Sequence, residues 1–268
     1  MLNIIKASLY KLFRDRTFIV TAIIGLFIAA LLILIRVGTK SCTGEYFFVS
    51  ASTPGSNYGI TIPINLIVFT VGEFTYGTIR NKVIAGLSKT KIYVGLFITG
   101  LVFTFILIGG YSAILIAIGS IIGGFNAAAI GGVEFILPYL AYVVCEYIFI
   151  TAISIFFSVL FRQIGGANTI VIVALIILSL IPLFTFIGAS NNPSNMLRPD
   201  HWSMWLNPLY MLGLYGNDVV SIISKAVPGI DVWHQNEQMI ASGILTPFIW
   251  AAAFFIGGLV IFKKKDIK

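Results

Sequence analysis

Charge is what this sequence has least of. Of 268 residues, 10 are Asp or Glu and 17 are Lys or Arg, so 10% are charged, against 58% hydrophobic and a mean hydropathy of +1.00. A soluble domain carries about 25% charged residues, which excludes a water-soluble globular fold and leaves lipid as the solvent. Cysteine is nearly as scarce. Cys42 and Cys145 set no disulfide framework, and they fall at different depths, one just outside the first apolar run and one midway along the fourth. The two histidines, His201 and His234, both sit in one polar loop. There is no HExxH, no GxSxG, no nucleotide-binding loop and no cluster of metal-ligating side chains. Catalysis gets no support, so the chain reads as not an enzyme and as carrying no cofactor of its own. The net charge of +7 could suggest nucleic acid. The basic residues, however, stand at the ends of apolar runs, where membrane orientation signals stand, and no nucleic-acid partner is expected.

What is abundant is apolar sequence in lengths that suit a bilayer. The expected fold class is all-α integral membrane, with six transmembrane helices over residues 17–35, 58–79, 92–122, 135–161, 169–188 and 244–262. Residues 1–16 precede them as an amphipathic helix. Leu2, Ile5, Leu9, Leu12 and Phe13 share one arc, opposite Asn3, Ser8, Lys11, Arg14 and Asp15, the pattern of a helix lying in the headgroup region. A signal peptide is the other reading of this start, but the apolar run that follows is too long and no small-x-small cleavage site appears. Residues 41–59 read as a polar, turn-rich loop and residues 189–243 as a long extracellular loop, with one short helix near 209–226. Gly109-Gly110, Ser154 and Ser158 read as places where helices pack closely.

Counting Lys and Arg orients the chain. With the N-terminus inside, segments 1–16, 80–91, 162–168 and 263–268 carry 4, 4, 1 and 4 of them, 13 of the 17. Both N- and C-termini are therefore expected in the cytoplasm, and all four tryptophans on the opposite side.

Two features could carry function. The first is the basic connection over 73–91, which holds Glu73, Gly77, Thr78, Ile79, Arg80, Asn81, Lys82, Val83, Gly86 and Leu87. Gly86 can end a short helix over 78–85 in the left-handed region, and Ser88 can cap the next span. Ile79, Val83 and Leu87 share a face. Glu73 is too far from Arg80 for an i,i+4 pair and is expected to reach Arg14, Arg16 or Arg162. An ordinary basic loop obeying the positive-inside rule accounts for the same charges. The second feature is Glu146, near the middle of the fourth span. It reads either as a polar spot on a translocation path or proton relay, or as a protonated acid bonded to a neighbouring helix.

The amphipathic start, the six spans and above all the stretch EFTYGTIRNKVIAGLSKTKIY over 73–93 resemble the membrane subunits of ABC-2 type transporters. The similarity is greatest to bacterial permeases of the peptide-export and bacitracin or lantibiotic self-protection kind. In layout it covers nearly the whole chain, and in sequence it is sharp only over that stretch. The resemblance implies a single ABC-2 transmembrane domain over 1–268 in the bacterial plasma membrane. It makes 73–91 a coupling segment that docks on a separate ABC ATPase, with the Ile79, Val83 and Leu87 face in the partner's groove. The assembly it implies has two ATPase copies, each holding ATP-Mg, and a second permease copy, identical or different, all within membrane lipid. The implied cargo is amphipathic or hydrophobic, such as cytolytic or antimicrobial peptides, though the family also moves sodium, lipids and drugs. A proton-coupled secondary transporter using Glu146, and a membrane subunit that transports nothing itself, are the rival readings.

Overall fold

A computed structural model of the chain describes residues 2–38, 42–52, 57–188, 202–210 and 237–265. In lipid a backbone must satisfy its own hydrogen bonds, so long apolar runs fold as helices. The helices are α1 (Leu2–Phe13), α2 (Arg16–Gly38), α3 (Gly44–Ser52), α4 (Asn57–Thr75), α5 (Thr78–Ile84), α6 (Lys89–Gly123), α7 (Gly132–Phe161), α8 (Ile164–Gly188), α9 (Trp202–Leu206) and α10 (Glu237–Lys264), with a 3-10 turn at Ala127–Ile130. No strand occurs among the described residues. Among the described residues five helices are long and apolar enough to cross a membrane, namely α2, α6, α7, α8 and α10, and the count is six if the bent pair α4–α5 is taken as one span.

The bundle is built around α7, which packs against α4, α6, α8 and α10. Tyr139, Tyr142, Tyr147, Ile150, Ile155 and Val159 along it are fully buried. The close approach of α6 to α7 depends on Gly100, where an added Cβ would lie 3.1 Å from Thr151 and 3.2 Å from Ile155. Gly109 and Gly110, expected at such a contact, have nothing within 4 Å of that position. They face outward. Ser154 and Ser158 are buried, and their hydroxyls donate back to Ile150 O and Ser154 O.

Three parts depart from the sequence reading. The apolar stripe of α1 packs on the chain rather than on lipid alone. Leu12 is buried, and the Phe13 ring stands edge-on to Phe18 at 5.2 Å and 5.5 Å from Phe103. Residues 41–59 contain the helix α3, whose Phe47 and Phe48 are buried. Its approach to α6 is permitted by Gly119, where a Cβ would lie 2.8 Å from Thr43 O. The apolar run in α3 is too short to span, so hydropathy alone leaves it in a loop. Finally, α8 begins at Ile164 and α10 at Glu237, each several residues before its expected start, because Gly165, Gly166 and Asn168 in α8 and Glu237, Gln238 and Ser242 in α10 dilute hydropathy without stopping a helix.

Opposite ends of the bundle are fastened differently. At one end Gly44 N donates to Gly124 O and the amide of Asn126 to the Glu45 carboxylate. Burial pushes the Glu45 carboxyl up, but hydrogen bonds from backbone amides and Thr43 outweigh it, leaving Glu45 more acidic than usual. Beyond α8, the short α9 and the residues after it turn into the bundle. Asn207 Nδ2 donates to Leu178 O at 2.8 Å, and Trp250 Nε1 to Leu206 O at 3.1 Å. Most of 189–243, including nearly all of the helix expected near 209–226, lies outside the described residues, as do His201 and His234. At the other end gather residues of 1–16, 80–91 and 263–268, each with several Lys or Arg, and Arg162, and this is the basic end.

Candidate functional site

The connection over 73–91 is shaped by two glycines. Gly77 adopts φ 68° and ψ 10°, a left-handed conformation that costs a residue with a Cβ about 1–2 kcal/mol. It turns the chain by 56° between α4 and α5. Nine residues later, past the seven-residue α5, the chain turns again at Gly86, φ 86°. Gly86 N donates to Val83 O at 2.9 Å and Leu87 N to Lys82 O at 3.1 Å, the paired closing bonds of a Schellman motif. Ser88 then caps α6, its side chain accepting from Lys91 N at 3.4 Å. The short helix and both its boundaries follow the sequence expectation.

At the head of this turn Glu73 is 1% exposed and holds two cations. Lys11 Nζ lies 2.7 Å from one carboxylate oxygen and Lys82 Nζ 2.6 Å from the other. These are not the arginines expected. Arg14 packs on the Tyr10 ring, and the Arg162 guanidinium lies over the Phe74 ring at 4.9 Å. Lys82 sits nine residues from Glu73, out of reach along a straight helix, and the bend at Gly77 folds it back. A buried carboxylate loses several kcal/mol of hydration, and the two charge-assisted hydrogen bonds offset that loss. The triad thereby fastens α1, α4 and α5 to one another.

The faces of α5 are the reverse of those expected. Ile79 is 0% exposed, and Val83 and Leu87 pack against the chain's own core. A seven-residue helix cannot repay its nucleation cost alone, so its apolar stripe is used to seat it on the bundle. The outward face consists of Arg80, Asn81 and Ile84, the last 73% exposed, with Tyr76 beside it at 78%. Lys82, one of the basic residues of this connection, points inward to Glu73.

Lysines also tie the helix ends around the triad. Lys89 Nζ, in the first turn of α6, donates to Lys263 O and Lys265 O, both at 3.1 Å. Lys265 Nζ in turn donates to Leu160 O at 2.6 Å and Val159 O at 3.3 Å. Each takes up carbonyls that a helix C-terminus leaves without a partner. Burial, and next the nearby Arg162, hold the Lys265 ammonium below the usual lysine range. These ties join groups up to 176 residues apart. Nothing in local spacing signals them, and Lys265 reads in sequence only as an orientation charge.

Glu146 is 1% exposed in α7 and stands apart from the triad. It lies 15 residues before the end of α7, about 22 Å from the basic end. Cys42 and Cys145 are both free thiols. Among the described residues no group of three His, Cys, Asp or Glu could hold a metal. No family model, curated protein or solved structure matches this chain.

Proposed function

We propose that the chain is the membrane permease of an ATP-driven ABC exporter, with α5 as the element on which a separate ATPase docks. The observation that carries the reading is the pairing of a buried Glu73 with Lys11 and Lys82, beside an outward face of Arg80, Asn81 and Ile84. A helix with one face fixed to the bundle and the other exposed can receive a push and pass it on. The triad takes it to α1 and α4, and Lys89 takes it to α10 and α7. ATP-Mg belongs to the ATPase, of which two copies would serve two permeases in a bacterial plasma membrane. An apolar, Phe-rich bundle suits amphipathic or hydrophobic cargo, cytolytic and antimicrobial peptides among them.

The experiment is purification of the tagged chain from its host with vanadate-sensitive ATP hydrolysis as the readout. Ile84→Asp and Arg80→Glu should each lose the co-purifying activity while the chain stays folded in the membrane. Retention of that hydrolysis by both variants would sink the docking assignment. One observation favours a second reading, a proton-coupled transporter: an acid 1% exposed in the middle of α7. Vanadate-insensitive flux that Glu146→Gln abolishes would select it.

A further inference from the structure

Between α7, α8 and α10 lies a groove of about 320 Å³. One wall is Phe149, Ile153 and Phe157, spaced four residues apart on α7. Ala174, Ile177 and Leu178 on α8 form the second, and Trp250 and Phe254 on α10 the third. Leu206 and Pro208 close it at the end away from the lysines. That closure is fixed, because Asn207 is bonded to Leu178 O and Trp250 to Leu206 O. The sides are open: Ile177 is 55% exposed, Leu206 61% and Trp250 41%.

The dimensions select an occupant. Phe157 lies four residues before the end of α7, and Trp250 fourteen before the end of α10. The groove therefore runs from about 6 Å to about 21 Å above the basic end. Its length of about 15 Å is half the hydrocarbon thickness, one leaflet, and the 6 Å below it matches the headgroup layer. A helix with its side chains is about 10–12 Å across and over that length occupies more than about 1,000 Å³, so the groove cannot enclose one and could only meet a single helix face across its open sides. A cavity of about 150 Å³ admits benzene, and twice that volume suits an alkyl chain. The face of α10 that carries Trp250 and Phe254 continues below the groove as Ile261 and Lys264, and Lys263 and Lys264 are exposed.

We infer that this groove holds one acyl chain of an anionic phospholipid drawn from the leaflet at the basic end. The chain's methyl end stops against Leu206 and Pro208, and the phosphate lies at Lys263 and Lys264. The inference needs a membrane and these lysines; it does not depend on an ATPase.

The test uses the full chain with Trp202, Trp205 and Trp233 replaced by Phe, leaving Trp250 as the fluorophore. It is reconstituted with phospholipids brominated in mid-chain, either phosphatidylglycerol or phosphatidylcholine. Brominated phosphatidylglycerol should reach half-maximal quenching at a clearly lower mole fraction. That advantage should shrink about fivefold for each of Lys263→Gln and Lys264→Gln. Ala174→Phe, which fills the groove, should reduce the depth of quenching, and phosphatidylglycerol should stay bound to the parent chain, but not to Ala174→Phe, in native mass spectrometry. Equal quenching by the two lipids would mean ordinary annular lipid and overturn the inference. Absence of quenching would mean that protein covers the groove and would overturn it equally. A headgroup preference that survives loss of both lysines would remove the assigned phosphate position.

Discussion

At the scale of single residues, Glu73 sets the most demanding balance. Its carboxylate is buried, while Lys82 is 19% exposed and Lys11 44%. The two lysines are therefore not equivalent. Removing Lys82 leaves the acid facing the interior with one partner that is half in water, whereas removing Lys11 leaves the more sheltered pair intact. Breaking a fully buried pair costs about 3–5 kcal/mol, and solvent screening at Lys82 reduces that to about 2 kcal/mol. Lys82→Met should thus lower the melting temperature in detergent clearly more than Lys11→Met. Glu73→Gln combined with Lys82→Met should cost less than the sum of the two single changes, since each alone strands a charge. Additive losses would show that the groups do not interact. The partner of Glu73 was illegible in the sequence for a geometric reason. Spacing rules describe straight helices, and the 56° bend at Gly77 brings together residues that no helical period relates.

At the scale of helices, the contact between α6 and α10 is an aromatic seam at the basic end. Tyr93 lies 5.5 Å from Phe255 and 5.7 Å from Phe262, and Phe97 lies 4.6 Å from Phe255. Gly258 makes this possible, because a Cβ there would lie 3.0 Å from the Tyr93 ring carbon Cζ and closer still to the hydroxyl. That hydroxyl is buried with no hydrogen-bond partner among the described residues. Gly258→Ala should cost about 1–3 kcal/mol through overpacking. Tyr93→Phe should be neutral or stabilising by itself and should recover most of the loss in the double variant. Thermal unfolding of the three variants checks this, and an unrelieved double variant would contradict it. The helices themselves were largely legible, since five of the six expected spans became single helices while 58–79 broke at Gly77 into α4 and the start of α5, and Gly86 ended α5 and Ser88 capped α6 as read. The orientation of α5 was not. Periodicity identifies the Ile79, Val83 and Leu87 stripe but cannot say whether the chain or a partner covers it. The exposed Ile84 carried no signal until its neighbours were known. The helix α3 was missed because its contacts are made by glycines of α6 some 75 residues away, not by any pattern of its own.

At the scale of the whole molecule, the basic residues of 1–16, 80–91, 162–168 and 263–268 meet at one end through Lys11–Glu73, Lys89–Lys263, Lys265–Leu160 and Arg162–Phe74. A single exposed position there reports the side on which that end lies. In a background with Cys42 and Cys145 replaced, Ser88→Cys should resist an impermeant thiol reagent in intact cells and react once the cells are permeabilised. Asn236→Cys, in the segment 189–243 read as an extracellular loop, should react in both. Labelling of Ser88→Cys from outside would invert the orientation and with it the docking proposal.

The long helix α6 has a lopsided anatomy with a mechanical corollary. Gly109 and Gly110 lie 20 and 21 residues past its foot at Lys89, and a Cβ at either would meet nothing within 4 Å. Two successive glycines weaken a helix interior by about 1–2 kcal/mol relative to alanine, so this is its softest rung. The arm below it measures about 30 Å. A flexion of about 10° at that rung would swing the foot by about 5 Å. Because Lys89 is bonded to the tail of α10, and Lys265 of that tail to the end of α7, the swing would arrive as one concerted tilt of three helix feet, with α3 clasping the far end of α6 as the anchored side of the lever.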